Sequence, residues 1–153
     1  MVTKAQLLRY LALRAENENR LERLARMRSA AELPPMAEGD GSKHANSSGD
    51  RMARAVENCM EYEEQIKPLI ASNVAEMQRI EQAVDALDDP LEREVIRLRY
   101  MTPAVDEETG CDSCRWPKWS VIAERIYGNP YERGVKAAQK LNRIAIDKLT
   151  NSS

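Results

Sequence analysis

Residues 52–91 read MARAVENCMEYEEQIKPLIASNVAEMQRIEQAVDALDDPL, and they carry the strongest periodic signal in the chain. Apolar residues recur along this stretch in alternating steps of four and three, the heptad spacing of a coiled-coil seam. The seam positions are Met52, Val56, Cys59, Glu63, Ile66, Ile70, Asn73, Met77, Ile80, Val84, Leu87 and Leu91. All but Glu63 and Asn73 are apolar, so the stretch predicts a long amphipathic helix over 51–88 whose stripe must be covered.

A predicted N-terminal helix over residues 1–33 is the simplest cover for this seam. Thr3 and Gln6 form a capping-box pattern, and helical spacing continues until Pro34 disfavours helix before it. Residues 34–50 are rich in Pro, Gly, Ser and Asn, which is typical of a flexible linker. The seam is therefore closed either by the first helix folding back as a hairpin or by a second copy of the chain, as a coiled-coil homodimer.

Composition disfavours an enzyme and a membrane protein. The chain has 153 residues and a net charge of −2, and it contains no nucleophile-elbow, P-loop, zinc-protease or dinucleotide-binding motif. Its one histidine, His44, lies in the predicted linker. No run approaches the roughly 18 apolar residues of a membrane span. Three cysteines are too few for a disulfide scaffold and favour a reducing compartment. We expect a cytoplasmic, non-enzymatic protein without a cofactor.

A DNA-binding domain is predicted over residues 89–149. Asp89 and Pro90 are typical of a helix start, and a short helix is expected over 91–100. Residues 102–117 are predicted to form a loop or small hairpin. A second short helix over 119–126, a turn containing Gly128 and a last helix ending near Leu149 then make a helix-turn-helix pattern. The predicted fold class is therefore all-α, with a long-helix hairpin or coiled coil before a helix-turn-helix.

Charge changes sign between these two regions. Residues 51–90 contain 4 Lys or Arg and 9 Asp or Glu, a net of −5, whereas residues 129–149 contain 5 and 2, a net of +3. Local positive charge in an acidic protein favours binding of double-stranded DNA. The predicted DNA contacts on the outward face of the last helix are Arg133, Lys136, Gln139, Lys140 and Arg143. Ser120 is also a candidate, since its hydroxyl is suited either to capping its helix or to touching a phosphate.

Cys111 and Cys114 have the spacing of half a tetrahedral zinc site. The chain offers no second pair of ligands, because Cys59 lies in the seam and His44 in the linker. We expect no metal; a four-cysteine site shared by two protomers is the alternative.

Three stretches of the predicted domain resemble a known family. They are LEREVIRLRY at 91–100, WSVIAERIYG at 119–128 and NRIAIDKL at 142–149. Together they resemble the promoter-reading region 4 of bacterial sigma factors, and more closely the sigma-like phage and prophage transcriptional regulators of the RinA/ArpU type. The resemblance implies control of phage late or packaging genes by DNA binding, with contact to RNA polymerase. Relative to that family, residues 102–117 are an insertion.

Two other functions stay open from the sequence. One is an adaptor that docks on RNA polymerase or another phage protein without touching DNA. The other is a small terminase subunit, in which the helix-turn-helix serves packaging and the coiled coil builds a ring.

Overall fold

The computed structural model describes residues 1–32, 45–113 and 115–152, with side chains in the second helix from residue 49 onward. Five α-helices account for most of this part of the chain, and it contains no β-strand beyond one isolated bridge. They are α1 (Lys4–Glu32), α2 (Ala45–Asp85), α3 (Pro90–Ile96), α4 (Trp119–Tyr127) and α5 (Glu132–Asn151). A π-helical turn, Arg97–Met101, continues α3. The all-α prediction is confirmed.

Two helix starts follow the predicted capping chemistry. The Gln6 amide N–H donates to Thr3 Oγ1 at 3.3 Å, and the Thr3 N–H donates to Gln6 Oε1 at 2.9 Å, which completes a capping box. At α3, the Asp89 carboxylate accepts the Leu91 N–H at 2.8 Å, and Pro90 occupies the first turn. Local sequence therefore sets where both helices begin.

Helix α2 differs from its predicted bounds at both ends. It begins at Ala45, so the predicted linker over 34–50 is too long at its C-terminal side. Residues 34–44 of that linker, and residue 33 before it, lie outside the described residues. The helix contains Pro68 and ends at Asp85, three residues before the predicted end. Because residue 68 lies on the exposed side of α2, its proline ring does not interrupt the buried seam.

The described residues fall into two compact units, and the unit Glu16–Asn73 pairs α1 with α2 inside one chain. Both polar exceptions in the seam have partners on α1. Asn73 Nδ2 donates to Asn17 Oδ1 at 3.0 Å, and Glu63 forms an ion pair with Arg28 at 3.0 Å. A partly buried polar pair such as Asn73 with Asn17 favours one register of two helices over shifted ones. Within this unit the seam is covered by the first helix folding back.

The ends of the predicted seam are exposed. Met52 and Val56 are 45% and 46% exposed, and Leu91 is 45% exposed. For Leu91 the prediction of a seam position is wrong, because Asp89 and Pro90 start a separate helix and turn this residue toward solvent. The buried part of the predicted seam therefore ends at Leu87, which is 6% exposed and lies two residues beyond the end of α2.

The other unit, Met1–Ala15 with Val74–Ser153, has one core to which all five helices contribute. Its most deeply buried side chains are Leu7 of α1, Ile80 and Val84 of α2, Val95 and Ile96 of α3, and Ile122 of α4. The chain start is tied to the last helix, since the Val2 N–H donates to the Leu149 carbonyl at 3.1 Å. This unit is larger than the predicted 89–149 segment, because α3, α4 and α5 bury their apolar faces against the start of α1 and the end of α2.

Residues 102–113 and 115–117 form a small hairpin. A bridge joins Val105 to Asp112, and the Ala104 N–H donates to the Arg115 carbonyl at 2.9 Å. Gly110 supplies the positive φ of +68° that the turn requires. Asp106 Oδ1 accepts the backbone N–H groups of Glu108 and Thr109, and these hydrogen bonds, first that of Thr109, lower the pKa of Asp106. The hairpin lies between the π-helical turn and α4 in the chain, and it forms one wall of a groove beside α4.

Gly134 fixes how closely α5 approaches the turn before it. The turn runs from Gly128, whose left-handed φ of +66° ends α4, to Tyr131. A Cβ atom built on Gly134 would lie 2.0 Å from the Asn129 carbonyl oxygen. Because this is a backbone atom, it cannot move away by a change of side-chain rotamer. The close approach of α5 to the turn therefore requires glycine at position 134.

We predict that Gly134→Ala lowers the free energy of unfolding by about 1–3 kcal/mol, because the added methyl group forces the turn and α5 apart. The matched control is Gly49→Ala in α2, where nothing lies within 4 Å of the added Cβ. This control is expected to be stabilising by about 0.5–1 kcal/mol, since alanine costs less backbone entropy in a helix. Urea unfolding followed by circular dichroism measures both, and equal effects of the two substitutions would contradict the close contact.

Candidate nucleic-acid interface

Helices α4 and α5 form a helix-turn-helix with a four-residue turn. The Gly128 N–H donates to the Glu124 carbonyl at 2.8 Å, and the Tyr131 N–H donates to the Asn129 side chain at 3.0 Å. These bonds satisfy backbone groups at the end of α4 and inside the turn. The second helix begins at Glu132, so Arg133 already lies in its first turn.

Helix α5 has one buried face, and the cationic side chains lie on the other. The buried residues are Gly134, Ala138, Asn142, Ala145 and Leu149. They are separated by steps of four, four, three and four, and Leu141 beside them is half-buried. Together these residues form the inward face of α5. Because most of its members are small, α5 lies close to the core and keeps its opposite face in solvent.

All five predicted contact residues of α5 are exposed. They are Arg133, Lys136, Gln139, Lys140 and Arg143. Lys136 forms an ion pair with Glu132 at 2.8 Å, one turn earlier. Among residues 1–32, 45–113 and 115–152, no carboxylate lies within ion-pairing distance of Arg133, Lys140 or Arg143. This row of exposed side chains is called the cationic face of α5 below, and three of its four charges have no counter-ion in the described chain.

Lys148 belongs to a different environment although it raises the charge of the same helix. Its Nζ donates to both oxygens of Glu92, at 2.7 and 2.9 Å. Glu92 is 3% exposed, so this ion pair neutralises a buried carboxylate and ties α5 to α3. The hydrogen bond to Glu92 is the largest influence on Lys148 and raises the pKa of its ammonium group. The sequence counts this charge toward a DNA surface, but in the structure it neutralises the buried Glu92.

A hydrogen bond between α5 and the π-helical turn was not predicted from the sequence. Asn142 Nδ2 donates to Tyr100 Oη at 3.2 Å, and both side chains are buried. The π-helical turn widens the helix after Ile96 and places Tyr100 against α5. Asn142 Oδ1 is buried without a partner among the described atoms. The asparagine within the apolar spacing of α5 was the only sequence signal for this contact.

At the start of α4, Trp119 and Ser120 have different roles. Trp119 is half-buried against the core, and the Arg99 guanidinium lies 4.6 Å from its ring centroid. Arg99 also donates to the Pro117 carbonyl at 2.6 Å, so it holds the end of the hairpin beside α4. Lys118 is the N-cap residue of α4, which rules out the capping alternative for Ser120. Ser120 is half-buried, and its contact with a phosphate stays a prediction.

The structure describes only half of the cysteine pair. Cys111 is a free, exposed thiol in the hairpin, whereas Cys114 lies outside the described residues. Within the ranges that the structure describes, no three His, Cys, Asp or Glu side chains come together as a metal-binding group. No helix in those ranges is long and apolar enough to cross a bilayer.

Comparison of the chain with protein-family models, curated proteins and solved structures gave no match. The cationic face and the helix-turn-helix geometry are therefore interpreted from their own residues.

The ion pair between Lys148 and Glu92 predicts a specific pH dependence of stability. The folded-state pKa of Lys148 is raised above its ordinary value of 10.5, so its contribution is fully present below that pH. The contribution is lost as the pH rises through the higher folded-state value. The difference in unfolding free energy between wild type and Lys148→Met should therefore be constant from pH 7 to about pH 9.5 and shrink above about pH 10.5.

Urea unfolding at a series of pH values tests this, with Lys136→Met as the control on an exposed pair of the same helix. Burial and the hydrogen bond to Glu81 also raise the pKa of Tyr10, so both proteins lose stability at alkaline pH, and only the difference between them is diagnostic. A difference that grows with pH would contradict the assignment.

Proposed function

We propose that the protein is a sequence-specific DNA-binding transcriptional regulator in which α5 is the recognition helix. The observation that carries the proposal is the cationic face of α5. It is exposed, lies opposite the buried face, and leaves the charges of Arg133, Lys140 and Arg143 without counter-ions in the described chain. A helix of this kind, displayed by a preceding helix and turn, fits the major groove of a duplex.

The distribution of charge along the chain favours approach of the cationic face to DNA. Residues 51–90 have a net charge of −5, which repels the phosphate backbone, whereas the cationic face of α5 carries four cations, only one of which, Lys136, has an ion-pair partner in the described chain. From Arg133 to Arg143 the helix rises about 15 Å at about 1.5 Å per residue, which is enough to follow several base pairs along the groove. The charge distribution therefore favours one orientation, with α5 toward the duplex.

Each residue on the face has a role suited to its chemistry. Arg133, Lys140 and Arg143 supply cations for phosphate oxygens, which give affinity without sequence information. Gln139 and Lys136 are suited to base edges, where an amide pairs with adenine and an ammonium with guanine. In the proposed complex, α4 braces across the backbone and the Ser120 hydroxyl donates to a phosphate.

The biological setting in this proposal comes from the sequence resemblance. Similarity to sigma-like regulators of the RinA/ArpU type supports a role at phage late or packaging genes, together with contact to RNA polymerase. The helix-turn-helix of α4 and α5 is compatible with that setting, and DNA binding can be tested without assuming it.

We predict that Lys140→Ala weakens binding to all duplex sequences by a similar factor and reduces the slope of log affinity against log salt by about one unit, because one phosphate contact is lost. Fluorescence anisotropy with a labelled random-sequence duplex at 50–200 mM salt measures both quantities. Lys4→Ala is the matched control, since Lys4 is an exposed lysine at the start of α1.

Unchanged affinity and slope in Lys140→Ala would remove α5 from the interface. If the wild-type protein does not bind duplex at low salt, the adaptor function replaces the present proposal. A solution mass corresponding to a large ring would instead favour a small terminase subunit.

We predict that Gln139→Ala changes sequence preference more than general affinity. Loss of a bidentate amide contact should cost about 1–3 kcal/mol at one base-pair position of the preferred site and little on random duplex. Selection of binding sites from a randomised duplex pool, repeated for both proteins, measures the change. An identical selected motif would show that Gln139 does not read bases.

A further inference from the structure

A groove of about 420 Å³ separates the outer face of α4 from the hairpin of residues 102–117. Its floor is apolar and includes Leu98 and the buried Ile122. Val121 and Val105 stand on opposite walls and are 54% and 60% exposed. Exposed apolar side chains collected in one concave surface are typical of a binding site. None of the predicted DNA contacts lines this groove.

The rim of the groove on the α4 side is cationic. Lys118 and Arg125 line it, and both are exposed. In the part of the chain that the structure describes, neither forms an ion pair, and Glu107 is the only acidic residue that lines the groove. The two cations are seven residues apart on one helix, which corresponds to about 10 Å.

We propose that this groove binds a short acidic segment of a partner protein. In the bound state, apolar side chains of the segment lie on the floor between Val105 and Val121, and carboxylates on either side pair with Lys118 and Arg125. An extended peptide rises about 3.3 Å per residue, so carboxylates about three residues apart match the distance between the two cations. Charged pairs at the rim of an apolar contact direct the orientation of the ligand.

A protein ligand fits this surface better than a nucleic acid. The hairpin that forms the second wall contains Asp106, Glu107 and Glu108, so the groove is cationic only on its α4 side. Two carboxylates of a narrow peptide can stay on that side beside Lys118 and Arg125, whereas a duplex would bring phosphates against the carboxylates of the hairpin as well. The apolar floor also gives a phosphate backbone nothing to bind. The groove therefore provides a second interaction surface that does not depend on the DNA-binding proposal.

Selection from a random eight-residue peptide library displayed on yeast, with the full-length protein as bait, tests the proposal. We expect enriched peptides to contain apolar residues between two carboxylates about three positions apart. Synthetic copies of these peptides should bind in solution, as measured by fluorescence anisotropy. Val121→Glu should weaken them about tenfold or more, because it places a carboxylate on the apolar wall.

Two further variants separate the charge and apolar contributions. The double reversal Lys118→Glu with Arg125→Glu should change the selected flanking residues from acidic to basic. Leu69→Glu is the matched control, since Leu69 is a similarly exposed apolar residue on α2 at 47% exposure, and it should bind the acidic peptides as the wild type does. Circular dichroism melting establishes that each variant is folded.

Several results would overturn the proposal. They are the absence of any enriched peptide, enrichment of basic or uncharged peptides by the wild type, and undiminished binding to Val121→Glu. If the wild-type protein self-associates in a sedimentation experiment and Val121→Glu abolishes this association, the occupant of the groove is a second copy of the chain. Loss of DNA affinity in the double reversal, without peptide binding by the wild type, would assign the surface to nucleic acid. Peptide binding retained by Lys140→Ala would support the groove whether or not α5 binds DNA.

Discussion

Small side chains along one face of α5 are the constraint on which the unit Met1–Ala15 with Val74–Ser153 depends. Gly134, Ala138 and Ala145 let the helix backbone approach the turn and the core closely, and a single Cβ at Gly134 would collide with the Asn129 carbonyl. Since the buried face is narrow, the remaining circumference of the helix stays in solvent. The same packing that stabilises α5 therefore displays its cationic face.

Polar contacts across the core fix the direction in which that face points. The buried carboxylate of Glu92 accepts both bonds from Lys148, and Tyr100 accepts a bond from Asn142. An unpaired charge or amide in this core would be costly, so rotation of α5 about its axis would break two contacts at once. In the other unit, the Asn17–Asn73 and Arg28–Glu63 pairs restrict the register of α1 against α2 in the same way.

Most of the fold could be predicted from periodicity and capping, and the misses share a cause. Heptad spacing predicted the long helix, and the Asp89–Pro90 cap predicted the start of α3. The exposure of Leu91 and the π-helical turn around Tyr100 were missed, because spacing within a segment does not report which neighbour it meets. For the candidate site, all five outward residues of α5 were found from one helical wheel. The groove beside α4 instead joins residues of 98–107 to residues of 117–125, which no single helical period relates.

The sequence by itself determined the helices, their starting caps and the sign of charge on each, because these depend on residues only a few positions apart. Only the tertiary structure decided which charges are available to a ligand. Lys148 and Arg143 lie on the same helix, but Lys148 pairs with buried Glu92 and Arg143 faces solvent. Packing also covered the seam of α2 with α1 and set the hairpin against α4, since burial of apolar area depends on contacts between segments that no local pattern encodes.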